Sequence, residues 1–262
     1  MNSAKTRFDF SGQTVVVTGG SRGIGRQICE SFAVAGAKVY SCSRRKAEIP
    51  FEQSSIESEL VDVRDPEATE AWLERCASGR GGIDVLVNNA GGAPSVASSE
   101  ITPQRTARIL ELNLNAPLVL CQQVYRHMMA LETGGVIVNI VSISSTRPTP
   151  GSVAYGAAKS GLMNATTSLA VEWGPKIRVN CIVSGLVITD MTKGHYGDEA
   201  QKRRITGSIP AQRFARTDEI AHACLFLAAK DSSYVSGAAL EVTGGGEWPP
   251  TIPRSRDSIS RD

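Results

Sequence analysis

The sequence predicts an α/β domain in which a doubly wound, mostly parallel sheet of seven strands carries helices on both faces. Short apolar segments alternate with helical periodicity along the chain, and a glycine-rich turn joins the first strand to the first helix. The 262 residues are 41% hydrophobic and include 25 glycines, which suits a single large domain with a sizeable core.

Each predicted strand is a short apolar run, and the seven cover residues 14–18, 38–43, 59–63, 83–87, 135–141, 177–183 and 238–242. The predicted helices cover residues 26–36, 67–78, 103–129, 157–171 and 218–229. Residues 190–216 are polar and lack a clean period, so we predict a substrate lid there, within a domain spanning 1–247. The charged, proline-containing residues 248–262 predict a tail that is disordered or lies across a neighbour.

The glycine-rich turn reads Gly19-x-x-x-Gly23-x-Gly25 and follows the first strand directly. Such a turn brings backbone amides and a helix N-terminus against a pyrophosphate, so it predicts nucleotide binding; the alternative is a plain structural turn. The second strand ends in Ser43-Arg44-Arg45-Lys46, without a carboxylate, and Arg22 lies in the turn. Basic groups there fit a ribose 2′-phosphate and favour NADP(H), against the alternative of a solvated basic loop.

A second candidate site lies between Ser142, at the predicted end of a strand, and the following helix, which carries Tyr155 and Lys159 one turn apart. An ammonium beside a phenol favours the phenolate, so we expect Lys159 to lower the pKa of Tyr155 and make it a usable proton donor. The alternative is an ordinary half-buried helix whose tyrosine and lysine reach toward water.

Composition argues against several classes of protein. The formal net charge of +2 suggests no nucleic-acid partner, and no apolar run is long enough to span a bilayer. The first ten residues lack the apolar core of a signal peptide, so we expect a cytoplasmic protein. The six cysteines and three histidines are scattered, which argues against disulfides and metal sites.

Several of these candidate residues follow strands, and the carboxyl ends of parallel strands share one edge of a sheet. The sequence resembles the short-chain dehydrogenase/reductase family through Thr18-Gly-x-x-x-Gly23-x-Gly25, Asn88-Asn-Ala-Gly91, Asn113, Ser142, Tyr155-x-x-x-Lys159 and Gly185-x-x-x-Thr189. The resemblance covers residues 10–246 and implies a Rossmann fold, a nicotinamide cofactor and a homo-oligomer, commonly a tetramer.

The resemblance also implies residue roles. Tyr155 would be the general acid/base, Lys159 would assist it and bind the nicotinamide ribose, Ser142 would orient the substrate oxygen, and Asn113 would hold a water linked to Lys159. Ser144 and Ser145 are weaker rivals of Ser142. The implied cofactor residues are Gly19, Ser21, Arg22, Gly23, Ile24, Gly25, Ser43, Arg44, Arg45, Asp62, Val63, Asn89, Ala90, Gly91, Tyr155, Lys159, Gly185, Ile188 and Thr189.

The chain departs from the family in having Ser184 where a proline precedes Gly185, which suggests a freer backbone beside the nicotinamide. Our first hypothesis is an NADP(H)-dependent oxidoreductase that acts on a carbonyl or secondary alcohol, with 3-oxoacyl thioesters among the candidate substrates. The alternatives are an epimerase or dehydratase without net redox change, and a non-catalytic nucleotide-sensing protein.

Overall fold

The fold is described from a computed structural model, which describes residues 8–79, 81–189 and 196–248. The predicted seven-stranded α/β fold is confirmed. The strands are β1 (Thr14–Thr18), β2 (Lys38–Ser43), β3 (Ile56–Leu60), β4 (Val85–Asn88), β5 (Gly135–Ser142), β6 (Ile177–Ser184) and β7 (Ala239–Val242).

All of the strand pairings in this sheet are parallel, and the spatial order is β3-β2-β1-β4-β5-β6-β7. The chain runs outward from β1 to β3 and then returns to place β4 on the other side of β1. The crevice between the carboxyl ends of β1 and β4 is therefore the topological switch point, where open α/β sheets bind their ligands.

Seven α-helices are described: α1 (Gly23–Val34), α2 (Pro66–Ser78), α3 (Pro103–Leu110), α4 (Ala116–Met129), α5 (Val153–Trp173), α6 (Glu199–Ser208) and α7 (Thr217–Ala228). Helices α1 and α7 share one hydrophobic core with one face of the sheet, and α2 and α4 share a second core with the other face. The two layers of helices leave the carboxyl edge of the sheet open to the loops.

The predicted bounds of the third strand are wrong by three residues, since β3 covers Ile56–Leu60 rather than 59–63. The prediction followed the apolar residues Val61 and Val63, which are 7% and 6% exposed. These two side chains belong to the core under α2 and α4 although the chain has already left the sheet. Two buried residues that follow the end of β3 thus produced the alternating apolar pattern that is typical of a strand.

The predicted long helix over 103–129 is interrupted. Between α3 and α4 lies one π-helical turn, Glu111–Asn115, with Asn113 at its centre. A π turn carries an extra residue, and such turns occur frequently at functional sites. The periodicity of the sequence does not reveal this extra residue, because apolar leucines flank Asn113 on both sides.

The predicted lid is described from residue 196 onward, and residues 190–195 lie outside the described part of the chain. It contains α6, whose N-terminus Asp198 closes a capping box with Gln201. After β7 the chain returns to the lid, where Ala211 N–H donates to Gly244 O (3.0 Å) and Trp248 N–H donates to Ser208 O (2.7 Å). The remainder of the predicted tail, 249–262, lies outside the described residues.

Candidate active site

The glycine turn packs closely against the loop that follows β4. Gly19 has a φ of +71°, and a Cβ atom there would lie 3.0 Å from Ala90 Cα. A Cβ atom on Gly25 would lie 2.3 Å from Gly19 O and 2.4 Å from Asn89 Nδ2. These positions therefore need glycine, because any side chain would force the turn and the β4 loop apart.

The same junction is fixed by hydrogen bonds. Thr18 Oγ1 accepts from the backbone N–H groups of Asn89 and Ala90, both at 3.0 Å. The Asn89 side-chain amide donates to Thr18 O at 2.9 Å and to Gly19 O at 3.3 Å. Thr18 was part of the sequence motif but not among the predicted site residues; its position at the end of β1 was the available signal.

The basic residues after β2 lie at the same edge of the sheet. Arg44 and Arg45 are exposed, and Ser43 Oγ donates to Arg45 O at 2.5 Å. On the neighbouring loop, Asp62 accepts two side-chain hydrogen bonds from Arg64, at 3.0 and 2.5 Å. The Arg64 hydrogen bond holds the pKa of Asp62 below its usual value, and the charge of Arg44 contributes in the same direction. Arg44 therefore lies within electrostatic reach of Asp62.

Asn113 joins the π turn to the loop after β4. Its side chain is buried, accepts from Gly92 N–H at 2.8 Å, and donates to Gly92 O at 3.0 Å and Ile109 O at 2.9 Å. Gly91 lies against both Asn113 and Lys159, since a Cβ atom there would be 2.8 Å from Asn113 Oδ1 and 3.2 Å from Lys159 Nζ. The three residues predicted from separate motifs are thus neighbours.

Lys159 lies on α5, and its ammonium is directed at the sheet. Nζ donates to Ile140 O at 2.9 Å and lies 5.9 Å from the centroid of the Tyr155 ring. The side chain is buried, and this burial lowers the pKa of Lys159 from 10.5 to about 8. Lys159 is therefore a buried ammonium that remains mostly protonated at pH 7.

The side chain of Ser142 lies close enough to the Tyr155 phenol to lower the pKa of that phenol. Ser142 ends β5 and caps the 3₁₀ turn Ile143–Ser145, where its Oγ accepts from Ser144 N–H at 3.2 Å. The Ser142 hydroxyl keeps its own proton available as a donor, because Oγ acts as the acceptor in that bond. Ser145 Oγ instead donates to Ser142 O at 2.5 Å, and Ser142 is the serine whose side chain affects the pKa of Tyr155.

The expected direction of the Tyr155 pKa is wrong for this structure. Burial raises the pKa of Tyr155, and the Ser142 side chain lowers it by less. The physical reason is that the phenol is withdrawn from water, whereas the nearest described polar contact of the Lys159 ammonium is the Ile140 carbonyl at 2.9 Å. Burial was not visible in the Tyr-x-x-x-Lys spacing.

The segment after β6 completes the cleft. Gly185 N–H donates to Val242 O at 3.0 Å, and Ser184 is the last residue of β6, paired with Val242. The sheet therefore holds this segment on the β7 side, and the freer backbone expected at Ser184 stays a prediction. A Cβ atom on Gly23 would lie 3.5 Å from Thr189 Cγ2, so the glycine turn and this segment approach each other.

The predicted lid segment contributes a second phenol. Tyr196 stacks on Phe214 with ring centroids 4.6 Å apart, and its hydroxyl donates to Val187 O at 3.3 Å. Burial raises the pKa of Tyr196, and the charge that Tyr155 would carry raises it further. The lid tyrosine thus lies within electrostatic reach of Tyr155.

The family model described as enoyl-(acyl carrier protein) reductase matches residues 19–247. The chain belongs to the short-chain dehydrogenase/reductase family. An L-xylulose reductase from Caenorhabditis elegans is 36% identical to this short-chain dehydrogenase/reductase over 243 residues, covering 91% of the chain and 97% of the relative. The 3-oxoacyl-[acyl-carrier-protein] reductase FabG of Escherichia coli is 35% identical over 242 residues, covering 90% and 98%.

Solved structures agree with this assignment. A protein described as an NAD(P)-dependent gluconate 5-dehydrogenase from Beutenbergia cavernae, with NADP bound at low occupancy, has 36% identity and a TM-score of 0.85, covering 91% of this chain and 98% of its own. The aldohexose dehydrogenase of Thermoplasma acidophilum has 27% identity and a TM-score of 0.84, covering 90% and 94%. The relatives are oxidoreductases that act on carbonyl or alcohol groups.

The residues present fit a nicotinamide dinucleotide. Arg22, at the N-cap of α1, makes no side-chain cap hydrogen bond, so within the described chain its side chain leaves the helix N-terminus open to an anion. Gly19, Gly23 and Gly25 have no side chains, so their backbone can approach a pyrophosphate bound at this helix N-terminus. Among the described residues no group of three metal-ligand side chains occurs, and no helix has the length and apolarity needed to cross a membrane.

Proposed function

We propose that this short-chain dehydrogenase/reductase is an NADP(H)-dependent oxidoreductase that interconverts a carbonyl and a secondary alcohol, with Tyr155 as its general acid/base. The observation that carries the proposal is the buried Lys159 ammonium 5.9 Å from the centroid of the Tyr155 ring, with Ser142 close enough to the phenol to lower its pKa. A phenol between a hydroxyl and a nearby cation is equipped to give a proton to a carbonyl oxygen.

Three side chains divide the work. Tyr155 would donate its proton to the carbonyl oxygen during reduction and recover one during alcohol oxidation. Ser142, oriented by Ser144 N–H, would hold the same oxygen and stabilise its developing charge. Lys159, with a pKa near 8, would stabilise the phenolate that Tyr155 becomes after releasing its proton. A nicotinamide bound in the adjoining cleft would supply or accept the hydride.

Asn113 would have a positioning role. It fixes the backbone of Gly92 on one side and reaches the α3 carbonyl of Ile109 on the other, next to Gly91 and Lys159. In this position it would keep the β4 loop at the correct distance from the buried ammonium. A water between Asn113 and Lys159, as the family resemblance implies, would connect that ammonium to solvent.

The preference for NADP(H) rests on charge. Arg22, Arg44 and Arg45 are exposed at the carboxyl ends of β1 and β2, and Asp62, a carboxylate on the neighbouring loop, is paired with Arg64. Guanidinium groups bind a 2′-phosphate through charge-assisted bonds. The NADP found with the Beutenbergia cavernae relative supports the same preference. The remaining implied cofactor contacts, from Ser21, Ile24, Val63, Ile188 and Thr189, are proposed with it.

The substrate class is proposed from the relatives as a polyhydroxylated sugar derivative or a 3-oxoacyl thioester. Residues 190–216 would form the substrate lid, with the Tyr196–Phe214 stack beside Tyr155.

We further propose a cytoplasmic homo-oligomer. Six free cysteines support the cytoplasmic location, and the exposure of Val153 and Val171 on α5, at 59% and 85%, supports the homo-oligomer. Light scattering and fractionation test these two proposals.

The deciding experiment measures oxidation of NADPH and NADH with ketoses, sugar acids, simple ketones and 3-oxoacyl thioesters. Tyr155→Phe should lower turnover by about 10³-fold or more while leaving the NADPH dissociation constant within a few-fold of wild type. Phe keeps the ring and removes only the proton donor. Turnover retained in Tyr155→Phe would refute the assigned role, and a lack of turnover by wild type with the whole panel would refute the proposed substrate classes.

A further inference from the structure

We infer that Arg26 is a positioning residue for the loop between β2 and β3, in which Arg44 and Arg45 are proposed to bind the 2′-phosphate. Arg26 thereby sets the discrimination between NADP(H) and NAD(H). Arg26 lies in the first two turns of α1, directly after the glycine turn. Its role toward the loop that connects β2 to β3 follows from contacts that the sequence does not reveal. The inference rests on the proposed preference for NADP(H).

The guanidinium of Arg26 holds the far part of this loop at three points. One terminal nitrogen donates to Ile49 O, and the other donates to Pro50 O at 3.1 Å. The guanidinium carbon lies 4.7 Å from the centroid of the Phe51 ring, which is the geometry of a cation–π contact. The loop backbone between residues 49 and 51 is therefore fixed to the helix that begins at the nucleotide cradle.

Arg26 is itself held in place. Its Nε donates to Glu30 at 2.8 Å, one turn along α1, and its side chain is only 19% exposed. Phe51 packs against the core shared by α1 and the sheet, so the ring under the guanidinium is anchored as well. Since Nε and both terminal nitrogens already have partners, Arg26 is engaged in building the loop rather than presented to a ligand.

The consequence falls on Arg44 and Arg45. They occupy the start of the loop that Arg26 fixes, between the end of β2 at Ser43 and the attachment points at Ile49 and Pro50. The near end is fixed by the Ser43 hydrogen bond to Arg45 O. Attachment at both ends limits the conformations of the basic segment, which reduces the entropy lost when its guanidinium groups bind a phosphate.

A lysine at position 26 would not replace the arginine. An ammonium keeps the charge, but it lacks the planar fork that bonds two carbonyls while its face covers an aromatic ring. Phe51→Leu removes the ring and keeps an apolar side chain in the core. Glu30→Gln weakens the support of Arg26 without touching the loop, and Arg75→Ala removes a positive charge elsewhere, at the Glu59 ion pair.

The test measures the dissociation constants of NADPH and NADH by calorimetry for wild type and these variants, with thermal melting as a folding control. Arg26→Ala should weaken NADPH binding about tenfold and change NADH binding little; Arg26→Lys and Phe51→Leu should each lose part of the discrimination. Arg75→Ala should match wild type. Binding of 2′,5′-ADP and 5′-AMP should show the same contrast, because these probes carry no nicotinamide.

The outcomes separate the two proposals. Equal wild-type affinities for NADPH and NADH would overturn the cofactor preference and the role of Arg26 with it. A wild-type preference that survives Arg26→Ala, or an equal loss of both nucleotides, would overturn the role of Arg26 alone. Full discrimination in Arg26→Lys would overturn it too, because charge rather than attachment would then suffice. Should Arg26→Ala fail to fold, Phe51→Leu decides by the same criterion.

Discussion

The side chain of Asn113 satisfies both backbone groups of Gly92, accepting from its N–H at 2.8 Å and donating to its carbonyl at 3.0 Å. One amide thereby ties the π turn to the loop that follows β4, next to Lys159. The remaining amide proton is donated to Ile109 O at 2.9 Å, so both amide protons of the buried side chain bond backbone carbonyls.

Replacing Asn113 should therefore cost both stability and activity. In Asn113→Asp an ionised carboxylate accepts from Gly92 N–H but cannot donate to the two carbonyls, so we expect a loss of about 2–4 kcal/mol in the free energy of unfolding. Urea denaturation measures it. Asn115→Ala is the matched control, because the exposed Asn115 bonds Glu111 in the same turn; similar losses in both variants would contradict the prediction.

Ser142→Ala should shift the pH dependence of alcohol oxidation. The Ser142 side chain lowers the pKa of Tyr155 against the opposing effect of burial, so its removal should move the alkaline rise of kcat/KM to higher pH. Turnover should fall about 10²-fold as well. Ser144→Ala is the control, because that residue bonds Ser142 through its backbone N–H. An unshifted profile in Ser142→Ala would contradict the assignment.

Lys159 should make the stability of the protein without nucleotide depend on pH. Its pKa is about 8 in the folded chain, against an ordinary value of 10.5, so the unfolded chain binds more protons between these values. Relative to Lys159→Met, wild type should gain up to about 3 kcal/mol as the pH rises through that window. Denaturation at several pH values measures the difference. Lys230→Met, at an exposed lysine, should instead track wild type.

Arg178 should stabilise the end of α7. From β6 its guanidinium donates to Leu227 O (2.8 Å), Val235 O (3.0 Å), Ala229 O (3.2 Å) and Ala228 O (3.4 Å). Arg178→Ala leaves helix-terminal carbonyls without these donors and should cost about 2–4 kcal/mol by chemical denaturation. Arg178→Lys should recover part of this loss. Arg216→Ala, which breaks the surface ion pairs with Asp218 and Glu219, should change stability little.

The sequence was sufficient for the architecture because most strands are apolar runs that end in a polar or glycine-rich turn, although β3 is largely polar. Prediction from the sequence failed where tertiary contacts determine burial or helix geometry. Val61 and Val63 are buried after β3 has ended, and Asn113 occupies an extra residue in a helix whose apolar pattern looks continuous. Local periodicity cannot report which neighbour a side chain will meet.

The same distinction between local pattern and tertiary contact applies to the candidate site. Residue types and spacing placed Tyr155, Lys159 and the glycines, which depend on local geometry. The raised pKa of Tyr155 was missed because burial is a property of the assembled fold. Arg26 was missed because its partners, at residues 49–51, belong to an irregular loop whose path no pattern predicts.

The return of the chain from β7 to the lid has a mechanical consequence. Gly244 and Trp248 are hydrogen-bonded to Ala211 and Ser208, so tension on the backbone at Trp248 would be transmitted to the end of α6. A protein fused or docked immediately beyond Trp248 would therefore exert force on the proposed substrate lid. An affinity tag placed there should alter Michaelis constants more than a tag at the N-terminal end.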